Sequence, residues 1–291
     1  MNNMNSELLN FLEKHPKKNR KFTHTIPGKG SWLIPDDKLN AFYNLVHDSI
    51  FIHNDKYMLV EKIQDITTFV VDLDLHWTEK YDTRQYTKET VNELTKFMFS
   101  IMSDYLKLDD THYNIMVMEK DNIRTSKKTN LKSKDGIHLV FPKIQVSKEL
   151  YRHFIELIYE NEDVINKIFE DTCINPPNNS VKDIFDKSIY STNWMVYGCY
   201  KKEEIEDDIR YKLTRIFNIS GGDNILESPL LDIYLDSPLD IIKLNSVSKK
   251  DKSVDYTELA ENYLSTKNLN NSIQGHTIMD NMAENNDIDP N

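Results

Sequence analysis

At 291 residues with 39% hydrophobic side chains, the chain is long enough to bury one large core or two small ones. Its formal net charge of -11 excludes a protein that coats nucleic acid by overall charge, because neutralising phosphates takes clustered Lys and Arg. No apolar run approaches the roughly 20 residues of a spanning helix, and the start, with Asn2, Asn3, Asn5 and Glu7, lacks the basic-then-apolar order of a secretory signal, so an intracellular protein with no membrane partner is expected.

In chain order, Ser6 followed by Leu8, Leu9, Phe11 and Leu12 and then Pro16 predicts a short amphipathic helix. Phe22 to Ile26 and Ser31 to Ile34 flank Pro27-Gly28-Lys29-Gly30 as a hairpin would. A helix carrying Leu39, Phe42, Tyr43 and Val46 follows, and Tyr57 to Ile63 and Thr67 to Leu75 read as strands. Val91, Leu94, Phe97, Met98, Ile101, Met102 and Tyr105 recur at helical spacing and define a core-facing helix. Tyr113 to Met118 is expected to be a strand, and Ile137 to Phe141 another, stopped by Pro142. A helical pair around Leu150 to Ile158 and Val164 to Ile168 ends at Asn175-Pro176-Pro177-Asn178-Asn179, and strand-like runs return at Ser188 to Tyr190, Trp194 to Tyr197 and Tyr211 to Phe217. This mixture predicts an α+β fold over residues 1–264, with 265–291 as a polar, disordered tail or linker.

The most informative stretch is Val70-Val71-Asp72-Leu73-Asp74-Leu75. Period-2 alternation puts Asp72 and Asp74 on one face of an otherwise apolar strand. Two like charges entering a core together are costly unless compensated, and a divalent cation compensates both; a strand end turning into solvent with both acids hydrated is the alternative that spacing leaves open. Hard oxygen donors select Mg²⁺ or Mn²⁺, the ions that bridge phosphates in phosphoryl and nucleotidyl transfer. Asp186 is the candidate third carboxylate; Asp183, three residues earlier, could equally be a helix or turn cap. His138 follows Lys134-Asp135-Gly136-Ile137, read as a basic, glycine-containing turn that would suit a triphosphate, with Lys201 after Gly198 as a second clamp and Tyr197 or Tyr200 as a base-stacking surface. Lys120, Arg124, Lys127, Lys128, Lys132 and Lys134 lie in one polar stretch with the single acid Asp121. Of these, Arg124, Lys127, Lys128 and Lys132 are the expected nucleic-acid contacts. The chain has no Walker loop. Its two cysteines, Cys173 and Cys199, are too few for a disulfide framework or a cysteine zinc site, and no zinc is expected.

Taken in order, Val71-Asp72-Leu73-Asp74, Glu119-Lys120, Lys134-Asp135-Gly136-Ile137-His138 with Phe141-Pro142, and Asp186 followed by Asn193-Trp194-Met195-Val196-Tyr197-Gly198 resemble the motif set of the archaeo-eukaryotic primase superfamily, in particular the primase part of poxvirus-type and giant-virus primase-helicases. Thr23-His24-Thr25 and Trp32-Leu33-Ile34-Pro35 add to the resemblance, which covers roughly residues 20–245. It implies a two-part primase fold whose RRM-like catalytic sheet, with flanking helices, carries Asp72, Asp74 and Asp186 as ligands of two Mg²⁺ or Mn²⁺ ions, with His138 on the phosphates of the nucleoside triphosphate; the basic residues Lys134 and Lys201 and Gly136 are the further nucleotide contacts expected from the residues themselves. It further implies a single-stranded DNA template and a superfamily-three helicase domain beyond this chain, and a viral source would place the protein in the host cytoplasm or a viral replication compartment. Cys199 departs from the pattern, standing where Ser or Thr is expected. A metal-dependent nuclease and a non-catalytic single-strand-binding module are the rival readings of the same residues.

Overall fold

A computed structural model describes residues 5–220, 224–248 and 254–267. The strands are β1 (His24–Ile26), β2 (Gly30–Trp32), β3 (Val60–Lys62), β4 (Ile66–Trp77), β5 (Asn114–Glu119), β6 (Arg124–Thr125), β7 (Ser133–Ser147), β8 (Asn193–Met195), β9 (Lys212–Ser220) and β10 (Asn224–Glu227). The helices include α1 (Ser6–Glu13), α2 (Leu39–His47), α3 (Lys88–Tyr105), α4 (Lys148–Glu160), α5 (Glu162–Thr172), α6 (Val181–Ile184), α7 (Leu230–Leu235) and α8 (Pro238–Asn245), and a further helix spans 258–267. The architecture is α+β, with two antiparallel sheets. The larger runs β10-β9-β5-β7-β4, with β6 also on β7, and the smaller runs β2-β1-β3-β8.

The alternation of β4 builds the main core. Phe69, Val71, Leu73 and Leu75 are buried on one face, beside Ile137, Leu139 and Phe141 of the paired β7. α3 and α4 close this face. The Phe99 ring lies 5.3 Å from Phe141, and the rings of Tyr151 and Phe154 lie 5.0 and 5.8 Å from Phe69. At roughly 1.5–3 kcal/mol for each large apolar side chain fully buried, this layer outweighs a cost of several kcal/mol for presenting acids on the opposite face. α3 starts where the sequence dictates: the Thr87 and Thr90 side chains cap each other's backbone amides, and Val91, Leu94, Met98 and Met102 form the buried stripe.

Two expectations are corrected. Pro142 does not stop its strand, because the register jumps from Phe69↔Phe141 to Thr68↔Gln145. Residues 142–144 therefore form a bulge, where a missing amide hydrogen costs nothing, and β7 continues to Ser147. Ser188 to Tyr190 lies within a 3-10 turn, Lys187–Ser191, and not in a strand. The expected tail begins inside a helix over 258–267, and residues 268–291 lie outside the described residues.

A smaller core, with Leu8, Leu12, Phe42, Val46, Leu59 and Val196, joins α1 and α2 to the second sheet. A buried polar knot fastens it to the segment after α8. The Glu61 carboxylate accepts from the Ser246 hydroxyl (2.9 Å) and the Val247 amide (2.7 Å) and lies 3.0 Å from His24 Nε2. Glu61→Ala would orphan these buried donors together. It is expected to cost about 3 kcal/mol, read as a lower urea midpoint without a change in slope.

Candidate active site

The β4–β7 register decides what stands opposite the acids. Asp72 pairs with His138, Asp74 with Gly136 and His76 with Lys134, all on the face turned away from α3 and α4. The free edge of β4 is then covered by the chain between α5 and β8. The Asn179 side chain donates to the Asp74 carbonyl (2.8 Å) and accepts from the His76 amide (2.9 Å), replacing a neighbouring strand. Phe185 forms a bridge with Leu73, and the Asp186 amide donates to the Asp72 carbonyl at 3.3 Å. Tyr159 holds this turn from the helix side, its hydroxyl donating to the Phe185 carbonyl at 2.7 Å. The structure thus brings Asp186 beside Asp72 through the backbone. Its carboxylate caps the 3-10 turn, accepting from the Ser188 amide (2.8 Å) and hydroxyl (2.9 Å).

The electrostatics of the row are uneven. Burial and then the charge of Asp74 push the Asp72 carboxyl up to about 7, against the opposing pull of Lys201 and Lys134. Burial also acts on Asp74, but Lys134, with Nζ 2.8 Å from Oδ1, outweighs it together with Lys201, and Asp74 is held below the usual carboxylate range. His138 is driven well below its ordinary value by burial and by Lys201, Lys120 and Lys134, so it is neutral at neutral pH, with Nε2 3.4 Å from Asp72 Oδ1. Lys134 and Lys201 therefore both act on the acid pair, and neutral His138 faces Asp72.

His138 is clamped between aromatic rings, Tyr211 at 3.5 Å and Trp194 at 4.4 Å between centroids. Lys134 and Gly136 lie within β7 and not in a turn. A Cβ at Gly136 would meet the Tyr211 hydroxyl at 2.5 Å, so this glycine makes room for Tyr211, not for the phosphate that the sequence reading assigned to it. Behind Tyr211 lies a buried ion cluster. The Lys120 ammonium stands over the Tyr211 ring at 4.7 Å and donates to both Glu204 oxygens at 2.6 and 2.7 Å, and Arg124 Nη1 meets the same carboxylate. Burial brings Lys120 down to about 8. Lys201 caps the 3-10 turn Lys202–Glu204 that carries this glutamate.

Other expected contacts are placed differently. Arg124 is drawn into that cluster and away from a free nucleic-acid surface, whereas Lys127, Lys128 and Lys132 are exposed on the loop. Tyr200 is buried, and Tyr197 packs on Phe51 at 6.1 Å while its hydroxyl accepts from the Leu213 amide at 3.3 Å, so neither ring is open for stacking. Cys199 is buried in the smaller core, with burial pushing its thiol up to about 12. This residue packs, and the departure from Ser or Thr removes no exposed hydroxyl. Gly198 turns the chain with φ 88°, against the Phe51 ring. Sequence reasoning missed Tyr211, Glu204 and His76. Of these only His76 left a signal, as the next same-face residue after Asp72 and Asp74. It is buried, its Nδ1 lies 3.1 Å from the Ser126 hydroxyl of the basic loop, and Nε2 lacks a partner.

The donor chemistry suits a divalent cation: Asp72 Oδ1 is buried without a hydrogen-bond donor, next to a second carboxylate. Among the described residues no three His, Cys, Asp or Glu side chains stand as a metal-holding group, since Asp186 is turned to Ser188.

Two outcomes are expected. Gly136→Ala should destabilise the protein by roughly 1–3 kcal/mol, and Tyr211→Phe in the same chain should restore much of the loss, because the next atom of Tyr211 stands 3.5 Å from that Cβ. Thermal melts of the single and double variants decide this. Because the folded pKa of Asp72 lies above the unfolded value, its proton-linked stability is present below about pH 4 and is lost as pH rises through about 7. In chelator, Asp72→Asn should therefore raise the melting temperature relative to wild type at about pH 8, and the gain should shrink at about pH 5.

Residues 23–217 match the family described as C962R protein N-terminal AEP domain, AEP denoting archaeo-eukaryotic primase. The chain is also 28% identical over 214 residues to "Putative helicase L207/L206" of Acanthamoeba polyphaga mimivirus, an alignment covering 69% of this chain. The chain spans 21% of that relative's length. No helix among the described residues is long and apolar enough to cross a membrane. With the matched region spanning more than half of its length, and with an α+β fold that sets Asp72 opposite His138 and the Asp186 backbone beside Asp72, the chain belongs to the archaeo-eukaryotic primase family.

Proposed function

We propose that the chain is a metal-dependent nucleotidyltransferase that starts or extends a nucleic-acid strand on a single-stranded DNA template during viral DNA replication. The observation that carries this reading is one donorless, buried carboxylate oxygen on Asp72 beside a second acid, with Lys134 Nζ 2.8 Å from Asp74 and the charge of Lys201 acting on both acids. A nucleoside triphosphate would supply anionic oxygens to Lys134 and Lys201, and a divalent cation, were it held by the acids, would offset the negative charge of both. Asp72 and Asp74 would hold Mg²⁺ or Mn²⁺, with Asp186 joining them when its oxygens leave Ser188. Bound there, such ions favour ionisation of a 3′-hydroxyl and offset charge on the leaving pyrophosphate.

The protein's own residues supply position and charge. Lys134 and Lys201 would draw the triphosphate against the acid row, and neutral His138, held in place by Tyr211 and Trp194, would offer an N–H to a phosphate oxygen. In the reaction, the 3′-oxygen bonds to the α-phosphorus, the bond from that phosphorus to the pyrophosphate oxygen breaks, and the hydroxyl proton leaves to solvent. Lys127, Lys128 and Lys132 would meet the template backbone from the neighbouring loop. The mimivirus relative's description as a helicase supports a helicase region as the covalent partner in a longer protein, and a superfamily-three helicase is the class we assign.

The test is incubation with single-stranded template, Mg²⁺ or Mn²⁺, and ribo- or deoxynucleotides, with and without primer. Wild type should lengthen strands only when nucleotides are present, and a nuclease would shorten them without any. Asp72→Asn and Asp74→Asn should each lower synthesis by at least about a hundredfold, with circular dichroism unchanged. Full activity in either variant would refute the assignment.

A further inference from the structure

The Asp186 turn has a second side. The 3-10 turn Lys187–Ser191 that Asp186 caps carries Tyr190, and Tyr190 forms one wall of an open cavity of about 310 Å³ completed by Lys148, Glu149, Arg152, Tyr263 and Lys267. This space is separate from the carboxylate row. It lies at the start of α4, whose Tyr151 and Phe154 pack on the opposite face of the sheet, and it is closed by the helix over 258–267.

Its walls alternate cations with aromatic rings. Lys148, Arg152 and Lys267 face a single lining acid, Glu149. A further acid, Glu156, engages Arg152 through Nε at 2.9 Å, a bond that does not occupy the Nη groups. Tyr263 is set in advance: its ring stacks on His153 at 3.9 Å and 16°, and His153 Nε2 is 2.9 Å from the Tyr105 hydroxyl. The Lys267 ammonium lies 5.5 Å from the Tyr263 ring, and the Arg152 guanidinium 5.9 Å from that of Tyr190. Rings beside cations are how proteins hold unpaired nucleic acid: bases stack on the rings and phosphates meet the charges. A volume near the lower end of ligand pockets, about 300–1,000 Å³, suits one nucleotide unit, and the charged lining does not suit an apolar molecule.

We propose that this cavity binds a nucleotide unit of a single-stranded nucleic acid, with phosphate against Arg152, Lys148 and Lys267 and the base on Tyr263 or Tyr190, where the strand passes the Asp186 turn. The position of the strand rests on reading Asp186 as part of a synthesis site, but binding itself can be measured without synthesis. A free nucleotide shares the chemistry and is the other source of the ligand.

The test is fluorescence anisotropy of a short labelled oligothymidylate with the full chain, in chelator and without nucleotides. Tyr263→Ala should weaken binding about tenfold and Tyr263→Phe should restore it. Arg152→Gln, at an exposed position, should lower the slope of log Kd against log salt by about one. Wild-type affinity and slope in Tyr263→Ala and Arg152→Gln would overturn the proposal, as would a wild-type chain that does not bind the oligonucleotide. Thymidine monophosphate binding that is lost in these variants while oligonucleotide affinity stays constant would also overturn it, by assigning the cavity to a free nucleotide. Should Tyr263→Ala fail to fold, the Arg152→Gln slope decides. Asp72→Asn, which is expected to abolish synthesis, should leave anisotropy unchanged. A chain that binds through Tyr263 but makes no product would thus remove the proposed function and keep the cavity, and one that synthesises with a Tyr263-independent grip would do the reverse.

Discussion

Two carboxylates on alternate residues of one strand face the same way, and their mutual repulsion grows as water is withdrawn from them. What makes such a pair tolerable is the strand placed opposite. By pairing Asp72 with His138 and Asp74 with Gly136, the β4–β7 register lets Lys134 reach Asp74 while a neutral imidazole faces Asp72. The compensation is asymmetric. Asp74 has a close cation, whereas Asp72 is left with burial and a like charge, and its affinity for a proton rises accordingly. A register slip of one residue would turn both acids into the α3–α4 core and end this arrangement. The apolar layer beneath the acids therefore enforces the register as well as stabilising the fold.

The groups around His138 extend this logic outward. Its ring is held by Tyr211 from β9's approach and by Trp194 from the second sheet, whose indole donates to Asn245 Oδ1 of α8 at 2.9 Å. Tyr211 in turn rests under the Lys120 ammonium, and Lys120 is tied to the Glu204 turn that begins at Lys201. A buried lysine with a carboxylate partner is expensive to break and slow to rearrange. It gives the Lys201 turn a fixed anchor at the residue that follows β5.

The sequence disclosed what period-2 and helical spacing can carry: the β4 acids and their shared face, the long α3, the α4–α5 pair and the mixed architecture. Where a residue's meaning depended on a partner far along the chain, it was not legible. Gly136 looked like a phosphate-binding glycine because nothing near it indicated that the Tyr211 hydroxyl would occupy the space. Arg124 looked like a template contact because Glu204 is 80 residues away. Pro142 read as a terminator because a bulge depends on the partner strand, here the jump between Thr68 and Phe69. Asp186 needed the Phe185–Leu73 bridge to be placed beside Asp72, and its carboxylate caps the following turn, a role the sequence offered only for Asp183.

Overall charge limits how this protein can hold nucleic acid. With a net charge of -11, its far field repels a polyanion, so long-range steering does not help the encounter. Attraction has to come from cations within about a Debye length, roughly 8–10 Å at physiological salt. Those cations occur in small sets, Lys134 and Lys201 at the acid row and Lys127, Lys128 and Lys132 on the exposed loop. With few phosphates neutralised, counterion release yields little affinity, and base stacking has to carry a larger share than in a basic groove. The rings at His138 do not serve this purpose, because Tyr211 and Trp194 are buried against the imidazole itself. On the proposed function a stacking surface would lie elsewhere, and Tyr263, held by His153 beside Lys267 on the far side of the Asp186 turn, meets that requirement.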